Sequence, residues 1–389
     1  MKILKIIVSG LPLFKNKCEI DFLALQRVSE NNSEKMSKVF TNSTQSFYQN
    51  NVISIVGINA SGKTTLLRLI TFVCCLLNNE PINRVADCIE IFDGLSGSEK
   101  VSFDTYFYAE NKSVNLLHTV VAKENDRLLI EQETLKSKPI SRIKNKKALF
   151  DFADCKDCLS RNTNAEFLLD DVSIMVAFNK RNNEKVTMTE MLQYTNINQL
   201  SITENCPLEL IAFFDPNIEY LNFRKVGSET DICLKFKDKE EIILNQVSEL
   251  NRYLSSGTIK GINTFQNAMK TFSTGGYMII DELENHFNRE IVSTLVRFYM
   301  DKKVNPKGAT LIFSTHYSEL LDEFERNDNI YIVRNREGIT AENLSTLLKR
   351  NDIKKSEVFQ SGFLEGTVPM YDAYMDLKKV LINNCKEDL

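Results

Sequence analysis

Hydrophobic residues recur along the chain with two spacings, and the change from one to the other predicts the order of strands and helices. The continuous apolar run Val52–Val56 is typical of a buried strand, and the stretch Lys63–Leu77 is typical of an apolar helix. Shorter alternating runs predict two strands over 1–23, on either side of a turn at Gly10, and an antiparallel sheet over 88–135. Strands therefore come before and after the first long helix.

Helices and strands alternate in the last third of the chain. In order, the predicted elements are helix 259–272, strand Tyr277–Ile280, helix 290–301, strand 309–313 and strand 330–333. Alternation of this kind brings strands together in parallel, so the predicted fold class is α/β with a mixed sheet. An amphipathic helix over 371–382 is expected to close the chain.

Two segments lack a clear pattern. Residues 31–49 are polar and rich in serine and asparagine, which is typical of a loop or a ragged helix, and residues 136–205 are charged and mixed. We interpret 136–205 as a largely helical arm. The chain is thus divided into a discontinuous α/β lobe, 1–135 with 271–389, and a helical lobe or arm over 136–270.

A glycine-rich motif follows the first buried strand. Residues 57–64 match G-x-x-x-x-G-K-[ST] in full, with Gly57 and Gly62 allowing the backbone to curl. A loop of inward-facing backbone N–H groups at the start of a helix neutralises the dense negative charge of a triphosphate. Lys63 is expected to reach the β- and γ-phosphates of ATP, and Thr64 to ligate Mg²⁺. The motif predicts a P-loop NTPase.

Two acidic residues follow the strand Tyr277–Ile280. Asp281 and Glu282 stand where this buried strand emerges. Asp281 is expected to help hold Mg²⁺, and Glu282 to polarise the water that attacks the γ-phosphate. Many strands end in acidic residues, so the pattern gains its meaning from the glycine-rich motif earlier in the chain.

Small residues precede the helix 259–272. Ser255 or Ser256 is the predicted N-cap, and Gly257 follows. A capped helix N-terminus attracts anions, although an ordinary cap explains these residues when they are considered alone. Their position shortly before the acidic strand favours the anion-binding interpretation.

One histidine ends a strand of the same predicted sheet. His316 comes directly after the strand that begins near residue 309. A lone histidine is usually a packed or surface residue. Because this strand delivers His316 to the edge that carries Glu282, we expect it to contact the γ-phosphate. The other two histidines, His118 and His286, have no comparable context.

Composition limits the alternatives. The 389 residues are 43% hydrophobic and 26% charged with a formal net charge of −4, so any nucleic-acid contact must come from a local patch. The pair Cys155 and Cys158 is interpreted as two structural thiols, because a zinc site needs four ligands. We expect no membrane association and a cytoplasmic location, since no apolar run is long enough to span a bilayer and no signal peptide is recognised.

Together these motifs resemble the ABC-type ATPase heads of the SMC, RecF and OLD (overcoming lysogenization defect) group. The resemblance is closest to the bacterial phage-defence AAA-family ATPases of the abortive-infection, Septu and retron-associated kinds. It lies within the blocks 1–80 and 205–335. The residues that carry it are Asn59, Ala60, Ser61, Gly62, Lys63, Thr64 and Thr65; Leu254, Ser255, Ser256, Gly257 and Thr258; Asp281, Glu282, Leu283, Glu284, Asn285 and His286; and Ser314, Thr315 and His316.

The resemblance implies a nucleotide-gated homodimer or higher oligomer that binds and hydrolyses ATP with Mg²⁺. In that group Ser255, Ser256 and Gly257 of one copy would cap the γ-phosphate bound by the other copy. The stretch with Glu284 and Asn285 would cross the interface. The implied role is the sensor or regulator of an anti-phage defence system.

Two departures from the group matter. The stretch after His316 is too short for the nuclease domain that OLD proteins append, so a separate effector protein is expected. No glutamine can be assigned to the Q-loop, which links the nucleotide to the helical lobe. Gln132 is a positional candidate only.

Other functions stay open at this point. A DNA-repair ATPase of the RecF or SMC kind is the main alternative. The ATPase subunit of a transporter fits less well, because the long stretch between the glycine-rich motif and Ser255 leaves room for an arm that transporter subunits generally lack. A module with a dead nucleotide site is disfavoured, because Lys63, Asp281, Glu282 and His316 are all present.

One run of positive charge is a candidate partner surface. Such a run is usually a solvated face, and the alternative is a patch that binds DNA, RNA or an acidic protein surface. No acidic residue interrupts its six cations, which are Lys136, Lys138, Arg142, Lys144, Lys146 and Lys147.

Overall fold

The computed structural model describes residues 1–42, 45–161, 168–193, 199–201, 206–226, 229–285, 287–367 and 371–387. Strands β1 to β17 are Lys2–Ser9, Cys18–Asp21, Ser37–Thr41, Ser46–Gln49, Val52–Val56, Lys100–Ala109, Ser113–Glu124, Arg127–Pro139, Asp157–Ser160, Met188–Met191, Ile218–Val226, Glu229–Phe236, Ile242–Leu244, Tyr277–Ile280, Thr310–Thr315, Ile330–Asn335 and Ile339–Asn343. Helices α1 to α11 are Glu30–Ser33, Lys63–Leu77, Ala86–Ile89, Lys146–Phe150, Met175–Asn182, Leu208–Phe214, Ser256–Thr274, Arg289–Met300, Leu344–Leu347, Lys355–Gln360 and Tyr371–Glu387. Short 3₁₀ turns occupy Ile82–Arg84, Glu90–Phe92, Ile140–Arg142, Val247–Arg252, Ser318–Glu323 and Asn327–Asn329.

The central sheet is mixed, as predicted. Its order is β10-β14-β15-β5-β16-β17, in which the first five strands are parallel and β17 returns antiparallel to β16. Every residue of β5, β14 and β15 is buried. Burial on both faces explains why these strands appear in the sequence as continuous apolar runs rather than alternating ones.

Helix α2 lies between two sheets. Twelve of its fifteen residues are buried, and a helix that is apolar almost all round must be enclosed rather than lie on a surface. One side packs against Ile53 and Ile55 of β5, and another against Phe103 of β6 in a second, antiparallel sheet. The second sheet has the order β2-β1-β6-β7-β8-β9, which confirms the two N-terminal strands and the antiparallel sheet predicted over 88–135.

The opposite face of the central sheet is covered by helices α7 and α8. Phe265 of α7 and Val292 of α8 belong to one apolar cluster with Val52 and Val56 of β5. Alternate residues of β5 therefore face different layers, and the predicted helices 259–272 and 290–301 are confirmed. A smaller cluster joins the N-terminal half of α7 to α6 and the three-stranded sheet β11-β12-β13.

The prediction of a loop or ragged helix over 31–49 is largely wrong. Among the described residues of this range, helix is confined to Glu30–Ser33, and β3 pairs with β4 in antiparallel fashion. Phe40 and Phe47 stack on each other with ring centroids 4.6 Å apart, and both are buried. Two aromatic side chains in a polar segment thus anchor a hairpin on the antiparallel sheet.

The prediction of a largely helical arm over 136–205 is wrong for the described residues. Helices α4 and α5 are short, β8 continues to Pro139, and β9 extends the antiparallel sheet. Strand β10 pairs in parallel with β14 at the edge of the central sheet. The proposed boundary between 135 and 136 also falls inside β8.

The predicted closing helix is present as α11, and most of its apolar side chains are exposed in the structure. Tyr371, Tyr374, Leu377 and Leu381 are all more than half exposed. None of the apolar clusters of the described residues includes a residue of α11. Among the helices described, none combines the length and apolar character that crossing a membrane requires.

Two buried tyrosines tie the antiparallel sheet to the central sheet. The Tyr277 hydroxyl accepts a hydrogen bond from the Ile3 N–H at 2.8 Å, and the Tyr331 hydroxyl accepts one from the Asp21 N–H at 2.7 Å. Burial raises the pKa of both phenols, so both remain protonated. Each hydroxyl joins a strand of one sheet to a strand of the other.

Replacing Tyr331 or Tyr277 with Phe should destabilise the protein, because it leaves a buried backbone N–H without an acceptor. The expected loss in free energy of unfolding is about 1–3 kcal/mol for each variant. Urea denaturation followed by circular dichroism measures it, and Tyr371→Phe, at an exposed tyrosine, is the matched control. Parent-like midpoints for both buried variants would show that these hydroxyls do not hold the sheets together.

Candidate functional site

Three neighbouring parallel strands end at one edge of the central sheet. Strands β14, β15 and β5 are adjacent in that order. Asp281 follows β14, His316 follows β15, and the glycine-rich loop 57–62 follows β5. Ligands of α/β proteins bind in the crevice at the carboxyl ends of such strands. The structure thus brings together the loop, the acidic pair and the histidine that the sequence motifs singled out.

The loop 57–62 needs glycine at both ends. A Cβ atom on Gly57 would lie 2.4 Å from the Val333 carbonyl oxygen. Gly62 has a φ of +97° and a Cβ there would lie 2.6 Å from Cδ1 of Ile339. The loop therefore packs closely against β16 and β17, and it leads into α2 at Lys63. This close packing restricts the conformations that its backbone can adopt.

The Lys63 ammonium lies at the mouth of the loop. Its Nζ donates to the carbonyl oxygens of Gly57 at 3.0 Å and Ile58 at 3.1 Å. Burial lowers the pKa of Lys63, while the nearby carboxylates of Asp281, Glu282 and Glu284 oppose that shift. Lys63 is thus a buried cation satisfied by weak neutral acceptors, which an anionic ligand could replace.

The Asp281 carboxylate links the start of α2 to the end of β15. Its Oδ2 accepts from the Thr64 hydroxyl at 2.6 Å, and its Oδ1 accepts from the Ser314 hydroxyl. The same Ser314 oxygen accepts from the Glu282 N–H at 2.7 Å. One buried carboxylate and one buried hydroxyl thus fix the first turn of α2, the end of β15 and the start of the acidic segment.

Glu282 has a constrained backbone and a half-buried side chain. Its φ of +47° lies in the left-handed region, which is uncommon for residues other than glycine. Its Oε2 accepts from the Asn285 side-chain amide at 2.7 Å, and its Oε1 lies 3.7 Å from Nε2 of His316. Such strain is often found at functional sites.

His316 is held through its backbone by Glu284. The buried Glu284 carboxylate accepts from the His316 N–H. Nδ1 of His316 lies 3.4 Å from Nζ of Lys63. His316 therefore stands between the lysine of the loop and Glu282.

An open cleft adjoins this cluster. Loop residues form one side, and the turn after His316 and the helix Lys355–Gln360 form the other. Its lining residues are Gly57, Ile58, Asn59, His316, Tyr317, Ser318, Glu319, Phe359, Gln360 and Thr367. Asn59 and Ala60 are exposed at the tip of the loop. The cluster is thus open to a ligand from solvent.

The predicted signature residues form the start of helix α7. Ser255 is the N-cap of α7, and its hydroxyl accepts from the Thr258 N–H at 3.0 Å. Leu254 and Ile259, on either side of the cap, pack in the cluster of the three-stranded sheet. Ser255, Ser256 and Gly257 thus belong to a helix start that packs, through its neighbours, on the three-stranded sheet.

Two glutamines bear on the unassigned Q-loop. Gln132 lies within β8 and pairs with Val120 in the antiparallel sheet. Gln193 instead lies two residues after β10, the parallel neighbour of β14, and its side chain donates to Asp87 at 2.7 Å. The four-residue run Met188–Met191 has no apolar alternation, so the sequence carries no clear signal for it, and it becomes recognisable as a strand only beside β14.

The basic run does not form one exposed patch. The Lys138 ammonium is buried and donates to the carbonyl oxygens of Ala148 and Asp151, while Lys146 donates to the Ala24 carbonyl oxygen. Burial lowers the pKa of both lysines. Arg142, Lys144 and Lys147 are exposed and Lys136 is half-buried. At least two of the six cations therefore make hydrogen bonds within the protein and are not free to contact a partner.

The paired cysteines stand at the surface. Cys155 is half-buried and Cys158 is exposed, and both are free thiols. Across the described ranges, no group of three or more His, Cys, Asp or Glu side chains is arranged to hold a metal ion.

Comparison with known proteins adds no family assignment. A scan against protein-family models finds no match to this chain, and a search of curated proteins finds none either. Evidence on function therefore comes from the residues around the loop 57–62.

Replacing Ser314 with Ala should destabilise the protein by about 1–3 kcal/mol, because the part-buried Glu282 N–H loses its acceptor and the buried Asp281 carboxylate loses a donor. Ser54→Ala is the matched control. Ser54 is equally buried on the neighbouring strand β5, and its hydroxyl has no hydrogen-bond partner among the described residues. Denaturation midpoints compare the two variants, and equal midpoints would contradict the bridging role of Ser314.

Proposed function

We propose that this protein is an ATP-binding and ATP-hydrolysing P-loop ATPase of the ABC type that acts as a nucleotide-gated dimer. One observation carries the proposal. Lys63, Thr64, Asp281, Glu282 and His316 converge at one sheet edge, around a glycine-rich loop that opens a buried helix. Each of these residue types has a distinct task in phosphoryl transfer.

The loop and Lys63 are the proposed triphosphate site. The N-terminus of α2 offers unpaired backbone N–H groups and the positive end of the helix dipole. Lys63 adds a full positive charge, and its present partners are neutral groups, two carbonyl oxygens and the His316 ring. A phosphate oxygen is a stronger acceptor for an ammonium group than a carbonyl oxygen. Binding of ATP therefore offers Lys63 a better partner.

Thr64 and Asp281 are the proposed Mg²⁺ ligands. Their oxygen atoms are 2.6 Å apart at the mouth of the loop, and Mg²⁺ prefers oxygen ligands, usually one or two from the protein with the rest from phosphates and water. The donor set therefore fits the ion. When bound, Mg²⁺ would neutralise phosphate charge, while Ser314 keeps Asp281 oriented.

Glu282 is the proposed general base and His316 the proposed γ-phosphate contact. Glu282 is half-buried beside the cleft, so its carboxylate can meet a water from solvent. The Nδ1 of His316 lies 3.4 Å from Nζ of Lys63, so the imidazole is close to the atom that would meet the γ-phosphate. Removing a positioned general base typically costs roughly 10²–10⁴ in rate.

The dimer is proposed because the signature residues are not at the cluster of their own protomer. Ser255 caps α7 at an exposed helix start. In the sandwich arrangement, Ser255, Ser256 and Gly257 of a second copy would complete the γ-phosphate site from the other side. The ATP molecule then joins the two copies.

The biological role we propose is a sensor or regulator in a bacterial anti-phage defence system, with a separate effector protein. This part is supported by the resemblance of the sequence motifs. The alternative of a DNA-repair ATPase would need a nucleic-acid surface, and the partial burial of the 136–147 run makes that run a weaker candidate.

Lys63→Ala should weaken ATP binding strongly, because neutral loop amides cannot replace a full charge on the β- and γ-phosphates. Calorimetric titration with Mg-ATP measures the affinity, and Lys349→Ala, at an exposed lysine, is the control. Any biological activity should be lost along with binding. An unchanged dissociation constant in Lys63→Ala would remove Lys63 from the proposed site.

A further inference from the structure

One carboxylate oxygen of Glu282 accepts a hydrogen bond from its own segment, and the other faces His316. Oε2 accepts from the Asn285 side-chain amide at 2.7 Å, and Oε1 lies 3.7 Å from Nε2 of His316. A general base must offer a lone pair to the proton of the attacking water. An oxygen that already accepts a good hydrogen bond offers that lone pair less readily. The Glu282 carboxylate is therefore held by Asn285 in this structure.

The contact between His316 and Glu282 would be released by an anionic ligand that takes Lys63 away from His316. A lysine ammonium can only donate, so Nδ1 of His316 accepts from Lys63 and its Nε2 carries the proton that faces Glu282. Once Lys63 turns to a phosphate, His316 loses its donor and is free to reorient. Asn285 makes no contact of this kind with Lys63, so ligand binding by itself leaves its hydrogen bond to Glu282 in place.

The local backbone holds Asn285 over Glu282. The Asn285 N–H donates to the Glu282 carbonyl oxygen at 2.9 Å, which closes a tight turn. The left-handed φ of Glu282 starts that turn, and the Leu283 N–H fixes it by donating to the Ser314 carbonyl oxygen at 3.1 Å. The Asn285 amide is thus preorganised, so its hydrogen bond costs little conformational entropy.

We propose that Asn285 is a positioning residue that restrains Glu282 in the separate protomer and is displaced by a second copy of the chain. This inference rests on the proposed function. Asn285 is only half-buried, and it lies next to Glu282 at the edge where the second copy would face the γ-phosphate. A protomer that binds ATP alone then hydrolyses it slowly, and pairing releases the base.

The test is ATP hydrolysis per subunit across a series of protein concentrations. In the parent protein this rate should rise with concentration, because pairing follows mass action. In Asn285→Ala the rate at the lowest concentration should rise about tenfold, the factor expected when a hydrogen bond to a charged group is lost. The KM for ATP should stay the same, because Asn285 acts on the base and not on the phosphate site.

Asn288→Ala is the matched control. Asn288 lies in the same segment and caps α8 through the Ile291 N–H at 3.0 Å. General loosening of the segment would raise the rate in both variants. A rate that rises in Asn285→Ala alone supports the proposal. An unchanged or lower rate in Asn285→Ala, a rise in both variants, or a parent rate per subunit that does not vary with concentration would overturn it.

Different variants test the role of Asn285 and the proposed ATPase activity. If the parent protein does not hydrolyse ATP, or if Glu282→Gln hydrolyses it as fast as the parent, the proposed function itself is wrong. If the parent hydrolyses ATP through Glu282 and Asn285→Ala leaves the concentration dependence unchanged, only the role of Asn285 is wrong.

Discussion

The buried Asp281 carboxylate is the contact on which the candidate site depends. It accepts from Thr64 at the start of α2 and from Ser314 at the end of β15, while its own strand β14 lies beside β15. Three segments that are far apart in sequence are thereby held in a fixed arrangement. A buried carboxylate in this position is stabilised only while both donors stay in place. Loss of either hydrogen bond is therefore expected to disturb the other contacts at this sheet edge.

The rest of the fold keeps these segments from moving apart. Helix α2 is enclosed by the central and antiparallel sheets, so the loop that precedes it has a rigid support. The hydroxyls of Tyr277 and Tyr331 join the same two sheets. Mobility is therefore expected in side chains of the site rather than in its frame. Lys63, His316 and Asn285 all make contacts that a ligand or a second copy could replace.

Much of the frame was predictable because its signals are local. The buried run Val52–Val56, the helix Lys63–Leu77 and the acidic pair after Tyr277–Ile280 are recognisable without knowledge of their neighbours, and parallel pairing then places their ends together. What could not be predicted depends on distant partners. Strand Met188–Met191 is defined by its pairing with β14. Lys138 and Lys146 appear as surface charges in the sequence, but their acceptors are carbonyl oxygens that only the fold supplies.

The central claim is that ATP is bound between two copies and hydrolysed through Glu282, and the most direct test is the assembly state of Glu282→Gln. This variant keeps the volume of the side chain and removes the base, so it should bind Mg-ATP and accumulate an ATP-dependent assembly that light scattering detects. Adding Ser256→Arg should abolish that assembly without loss of ATP binding, because the arginine obstructs the γ-phosphate of the opposite copy. A Glu282→Gln protein whose mass does not change with Mg-ATP, or that hydrolyses ATP at the parent rate, would contradict the account.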